Sequence, residues 1–251
     1  NYKKVVSIVG TRHSTPQGDE ICNHFIKEFS RKFSDILIVS GLAYGIDVCA
    51  HRAALEHSVP TVAVLAHGLD RIYPALHRNT AIEMLDAGAL ITEFSSKTEP
   101  ERFNFVRRNR IVAGLADALI VVESSSKGGS LITAEIANSY YREVFAIPGR
   151  VTDSASIGCN QLISSNRAIL MQDVDSFAQH MGWDDTMRPQ PKQKELFLQL
   201  SEMEERVYNA LNRAESMHVN TLGIELDNPV SDLFFILLEL EMKNVVKPLP
   251  G

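Results

Sequence analysis

The sequence predicts an α/β fold in which a doubly wound, mostly parallel sheet is followed by a small helical domain. Three observations lead there. Seven short runs rich in Val and Ile are apolar at consecutive positions, as strands covered on both faces are. Helix-period segments separate these runs, so right-handed strand–helix–strand crossovers follow. A polar stretch from Asp184 to Lys192, marked by Pro189 and Pro191, then precedes a segment of different charge. The expected domains are therefore residues 1–183 and 193–251, with a linker at 184–192.

Composition sets the outer limits. The chain has 251 residues, 45% apolar and 22% charged, which suits a globular protein and excludes wholesale disorder. The net charge is −6, so any nucleic-acid site has to be a local patch. Residues 193–251 hold 5 basic and 10 acidic residues, a net −5 that leaves −1 for residues 1–192. No window approaches 18 consecutive apolar residues, so no membrane span is expected. No charged-then-apolar leader opens the chain, so secretion is not expected. Cys22, Cys49 and Cys159 are far apart and form no CxxC pair. They predict neither a disulfide framework nor structural zinc, and a cytoplasmic setting.

The elements follow in order. A strand at Val5–Val9 runs into Gly10, Thr11, Arg12, Ser14 and Thr15, then a helix over Gly18–Phe33. Gly10 permits a tight turn, Arg12 adds a cation, and amides at the helix start are suited to a phosphate. A strand at Ile36–Val39 leads to Gly41, Tyr44 and Gly45 and a helix over Gly45–His57. Asp47 in its first turn complements the helix dipole, and Tyr44 between the glycines is placed to stack on a base. A strand at Thr61–Leu65 precedes a rigid turn at Tyr73-Pro74 and a helix over Ala75–Ala87. Next come a strand at Ala89–Thr92 and a helix over Asn104–Leu115, in which Arg107 and Arg110 share one side and Arg108 lies one step round. With Arg102, four arginines fall within nine residues. Such clusters recognise phosphates, or are ion-paired helix faces. A strand at Ala118–Val122 leads to Ser124, Ser125, Ser126, Lys127, Gly128, Gly129 and Ser130 and a helix over Ser130–Tyr141. That loop reads as an anion cradle with Ser130 as the helix cap. A strand at Val144–Ile147 ends in a loop where Arg150 adds charge and Asn160 closes a turn, and a weak strand falls at Ala168–Met171.

Beyond the linker, helices are expected near Ser201–Asn212, Val219–Glu225 and Pro229–Met242, with a short strand at Val245–Leu249. Three small helices and a terminal strand resemble a winged helix, a fold that often reads DNA with its third helix. Here that helix carries Asp232, Glu239 and Glu241 against Lys243, which repels a duplex.

Catalytic signatures are absent. There is no GxSxG, HExxH or Cys/His pair, so no catalytic residue, metal site or cofactor is predicted. Glu135 and Asp47 are the carboxylates to test for chemistry.

Several boxes now line up in order: Ser7 to Arg12, Ser40 to Asp47, Gly68 with Tyr73-Pro74, Arg108 to Leu115, Lys127 to Ala134, Ile147 to Gly149 and Gly158 to Ile163. Over residues 3–182 they resemble the DNA-processing protein A family, DprA or Smf, and the C-terminal segment resembles that family's winged-helix-like domain. The resemblance implies a Rossmann-like fold that binds single-stranded DNA, protects incoming strands during natural transformation and helps load the RecA recombinase. It also implies a homodimer formed through the sheet domain. By the same resemblance Arg108, Arg110, Lys127 and the Gly10/Arg12 turn are backbone-binding positions, joined by the residue-based candidates Gly41, Tyr44, Arg107, Gly128, Gly129 and Ser130. The chain departs from the family at Tyr44, where Arg is frequent, and at Val106, where Pro is usual. An alternative is an enzyme: Gly128, Gly129 and Glu135 vaguely resemble the box of LOG-type nucleotide phosphoribohydrolases.

Overall fold

The structure is a computed structural model that describes residues 4–183, 200–214, 216–243 and 245–248. The expected linker, residues 184–192, lies outside the described residues. The chain divides into two compact units, Asn1–Asp184 and Asp185–Gly251.

In the first unit seven strands form one sheet: β1 (Lys4–Val9), β2 (Ile36–Ser40), β3 (Thr61–Val64), β4 (Gly88–Ile91), β5 (Ala118–Val121), β6 (Glu143–Ala146) and β7 (Ile169–Leu170). Their order is β4-β3-β2-β1-β5-β6-β7, and every pairing is parallel. The sheet expected to be mostly parallel is thus wholly so. Ser7 lies opposite Val39 on one side, and Val9 opposite Val121 on the other. The order reverses at the β1/β5 boundary, where loops diverge beyond the strand ends and leave room for ligands.

Helices α1 (Pro16–Lys32), α2 (Ile46–Glu56), α3 (Arg78–Ala87), α4 (Arg102–Leu115), α5 (Gly129–Ser139), α6 (Ile157–Ser164) and α7 (Val174–Met181) cover both faces. On one face Phe25, Ile26 and Phe29 of α1, Ala50 and Ala53 of α2 and Phe177 of α7 bury Val6, Ile8 and Ile38. On the other, Val112 of α4, Ala134 of α5 and Leu162 of α6 bury Val9, Val39 and Val121. Double coverage is why the strand runs do not alternate. The two serines inside these strands are satisfied: Ser7 Oγ donates to the Val112 carbonyl and Ser40 Oγ to that of Ile8.

Two helices were not among those predicted. α7 carries ordinary signals, with Asp173 capping the Ser176 amide at 2.7 Å and Gly182 closing the helix at φ 64°. α6 forms within the stretch expected to be loop. In it Asn160 pins the turn before it as expected, its side chain bonding the Gly149 amide and carbonyl at 3.2 and 3.0 Å.

In the second unit α8 (Glu202–Ala214), α9 (Val219–Leu226) and α10 (Val230–Met242) enclose Val207, Leu222, Leu233 and Leu240. Ser201 and Glu204 cap α8 reciprocally: the Ser201 amide donates to the Glu204 carboxylate at 2.7 Å, and the Glu204 amide to Ser201 Oγ at 3.3 Å. The terminal strand expected at Val245–Leu249 is not formed over residues 245–248, since no strand of this unit is present among the described residues to pair with it. Val245 and Val246 pack on the helical core instead. On α10, Asp232, Glu239 and Glu241 are exposed, as are Phe234, Phe235, Leu238 and Met242. Lys243 is paired with Glu204 at 2.6 Å. The exposed surface of α10 is therefore acidic and apolar, and offers a phosphate no free cation.

Candidate nucleic-acid interface

Loops at the carboxyl ends of β1, β2 and β5 are laced together by their backbones. The Thr11 amide donates to the Glu123 carbonyl at 2.7 Å and the Ile46 amide to the Thr11 carbonyl at 3.2 Å. Two glycines permit this approach. A Cβ on Gly10 would lie 2.5 Å from the Ile46 side chain, and one on Gly45, at φ 72°, 2.2 Å from the Thr11 carbonyl.

Arg12 projects from this lacing and is exposed, its guanidinium 4.9 Å above the Phe105 ring of α4. The neighbouring anion site expected at the α1 start is not available. Glu123, two residues past the end of β5, places its carboxylate there and accepts from the Thr15 amide at 2.9 Å and the Thr15 hydroxyl at 2.5 Å. A carboxylate on those donors repels a phosphate. Glu123 was missed in the sequence; its signal is an acidic residue closing a buried apolar run.

Arg108 is corrected as well. The expectation was a backbone contact with DNA, yet the side chain is 3% exposed and faces inward. Its guanidinium donates to the carbonyls of Gly41, at 2.6 Å, and Val64, and lies 3.9 Å from the Asp47 carboxylate. Where β2 and β3 end, their last carbonyls lose ladder partners, and a buried guanidinium satisfies both. A Cβ on Gly41 would fall 2.1 Å from that guanidinium, so Gly41 serves the arginine. Arg108 is a positioning residue for the Gly41–Gly45 turn, and Asp47 is its counter-charge.

Arg107 and Arg110 remain at the surface, each side chain 49% exposed. Both pair with Glu93, Arg107 at 3.8 Å, and Arg107 also lies 5.3 Å from the Phe94 ring. The ion-paired reading of the arginine run is thus partly realised, and two cations share one carboxylate. Lys127 is exposed in the β5–α5 loop. Gly128, not Ser130, is the residue before α5. Ser130 is buried and its hydroxyl donates to Ser124 Oγ at 2.9 Å, because the loop's inner hydroxyls bond one another. Gly129 is exposed, and a Cβ there would meet nothing within 4 Å. Tyr44 is 44% exposed, with its ring edge-on to His77. Glu135 lies in a surface ion pair with Arg167 at 3.0 Å.

The structure therefore brings Arg12, Gly10, Gly41, Tyr44 and Arg108 into one neighbourhood and sets Lys127, Gly128 and Gly129 on the same sheet edge. Arg12, Tyr44, Arg107, Arg110 and Lys127 face outward; Arg108 and Ser130 do not.

Beneath the turn, His51 is buried, and its Nδ1 lies 2.7 Å from Thr61 Oγ1. Thr61 donates to the Ile38 carbonyl, so Nδ1 carries the proton and Nε2 has no partner among the described residues. Burial, then the nearby Arg108 and His77, pull His51 down to about 3. A depressed histidine stabilises the fold above the unfolded value near 6.5, and that contribution is lost as pH falls toward 3. Going from pH 7 to pH 5 is expected to remove about 2 kcal/mol through His51 alone. Asp47 is shifted upward by burial, with Arg108 opposing. A raised carboxylate favours the folded state at low pH and works against the histidine. The measurement is therefore urea unfolding of the natural chain against His51→Gln at both pH values, with the variant losing less on acidification.

Comparison with known proteins decides the family. Residues 1–182 match the model of DNA recombination-mediator protein A.

The chain belongs to the DNA recombination-mediator protein A family.

Residues 189–251 match the DprA winged helix domain. Protein Smf of Escherichia coli is 32% identical over 255 residues, covering 98% of this chain and 66% of that protein. The DNA processing protein DprA of Bacillus subtilis is 40% identical over 172 residues, covering 68% of this chain and 57% of that protein. A putative DNA processing protein DprA from Mycobacterium tuberculosis is 38% identical over 210 residues, covering 83% of this chain and 53% of that protein. Among solved structures, Streptococcus pneumoniae DprA superposes with a TM-score of 0.64 at 36% identity, covering 70% of this chain and 61% of that one. DNA processing protein A from Helicobacter pylori, described for its single-stranded DNA binding mode, has a TM-score of 0.66 at 28% identity and covers 73% and 82%.

Proposed function

We propose that this chain is a single-stranded DNA-binding recombination mediator without a catalytic step. In this reading it protects incoming DNA, helps load RecA during natural transformation, and works in the cytoplasm as a homodimer. The observation that carries the reading is an outward set of cations in a chain whose net charge is negative: Arg12 and Lys127 on loops at the carboxyl ends of β1 and β5, and Arg107 and Arg110 in the middle of α4 beside Glu93, just past the carboxyl end of β4. Such an edge takes a polyanion without reading sequence. Family membership, and the single-stranded DNA binding described for the H. pylori relative, support it.

The cations set the expected salt dependence. Arg12 and Lys127 act in full, and Arg107 with Arg110 contributes about one charge after Glu93 is counted. Neutralising about three phosphates on a single strand gives a slope of log K against log salt near −2. Titrating a labelled oligo-dT at several salt concentrations measures it, and Lys127→Ala is expected to make the slope shallower by about 0.7. Salt-independent binding, or none, overturns the reading. Incubation with nucleoside monophosphates tests the enzyme alternative, since released base would favour it.

A further inference from the structure

One surface next to this edge is not explained by phosphate contact. The Tyr73 ring lies edge-on to Phe105, with centroids 6.0 Å apart and planes at 62°. Phe105 in turn underlies the Arg12 guanidinium. Tyr73 is 43% exposed. Its segment is fixed: the Tyr73 amide donates to His67 Nε2 at 3.2 Å, and upstream the Lys97 amide donates to Asp70 Oδ1 at 2.7 Å. Four residues beyond Tyr73, His77 donates from Nδ1 to the Leu42 carbonyl at 2.9 Å and meets the ring of Tyr44, with centroids 5.1 Å apart. One short segment, 73–77, thus ties both tyrosines to the Gly41–Gly45 turn and to Arg12.

We propose that Tyr73, Tyr44 and the Arg12 guanidinium held on Phe105 form a row of stacking surfaces for unpaired nucleobases. This rests on the reading of the edge as a single-stranded DNA site and names what that site recognises besides charge. An edge-to-face contact occupies at most one face of each ring and leaves another for a ligand. A guanidinium laid on an aromatic ring keeps its planar outer side and its donors free. Rings interleaved with cations suit a strand whose bases and phosphates alternate, whereas an apolar protein surface would bury Arg12 without a counter-charge. A duplex has both faces of each internal base covered and cannot use the row.

The test separates bases from phosphates. Binding of the full chain to an oligo-dT is compared with binding to an abasic oligomer of equal length, which carries the phosphates alone. The natural chain is expected to prefer oligo-dT by about tenfold or more. Tyr73→Ala is expected to weaken oligo-dT binding about tenfold and abasic binding less than twofold, with an unchanged melting temperature, while Tyr73→Trp keeps the preference. Equal affinity of the natural chain for both oligomers overturns the proposal and leaves the electrostatic reading standing, as does a Tyr73→Ala variant that weakens both alike. Absence of salt-sensitive binding to either oligomer removes both together.

Discussion

Replacing Arg108 with alanine is expected to cost about 3–5 kcal/mol of folding stability, the range seen when one partner of a buried, hydrogen-bonded charge pair is removed. Three groups are left behind: the Gly41 and Val64 carbonyls, which lose their donor, and the Asp47 carboxylate, which loses its nearest positive charge inside the protein. Any folded fraction is expected to bind oligonucleotide poorly, because the Gly41–Gly45 turn that carries Tyr44 is no longer held. Urea unfolding reads the first effect. A second variant makes the assignment sharp: Arg108→Met combined with Asp47→Asn is expected to be more stable than the two single costs add up to, since it removes the stranded charge. If Arg108→Ala instead unfolds at the natural midpoint and only weakens oligonucleotide binding, the arginine contacts DNA directly and the inward assignment is wrong.

The second large effect belongs to Gly45. At φ 72° its backbone lies where side-chain-bearing residues are strained, and a Cβ would sit 2.2 Å from the Thr11 carbonyl, a backbone atom with little freedom to yield. Gly45→Ala is expected to cost about 3 kcal/mol or more and to separate the β1 and β2 loops. Gly129 supplies the contrast. Because a Cβ there meets open space, Gly129→Ala is expected to leave the melting temperature nearly unchanged, so a drop in oligonucleotide affinity in that variant reports a close approach by the strand itself. Thermal unfolding of both variants beside the natural chain distinguishes them.

The sheet was legible in the sequence because its strands are buried on both faces and so appear as unbroken Val/Ile runs. All seven appear there, even the two-residue β7 at Ile169–Leu170. The helices α6 and α7 are not in the sequence pattern: α6 falls in a stretch that reads as loop, and α7 is only eight residues long, marked by little beyond its caps Asp173 and Gly182. The site was half legible. Residue type and position after a strand identified Arg12, Tyr44 and Lys127 as outward groups. They could not show that Arg108 turns inward, because what draws it there is a pair of strand-end carbonyls 67 and 44 residues earlier in the chain. The pairing of Arg107 and Arg110 with Glu93, and the contact of Tyr73 with Phe105, are likewise made by the fold between segments that share no local pattern. Glu123 shows the same limit in reverse: an acidic residue closing a buried apolar run marks a position with a role, but not that its carboxylate folds back onto the start of α1.

That carboxylate has a physiological corollary. In sheets of this topology the crevice above the reversal point is where small phosphate esters commonly lodge, on the first amides of the following helix. Here Glu123 stands in for such a guest permanently. A phosphate ester entering that position would meet a carboxylate already holding the Thr15 amide and hydroxyl, so the usual seat for a small nucleotide in this topology is closed here.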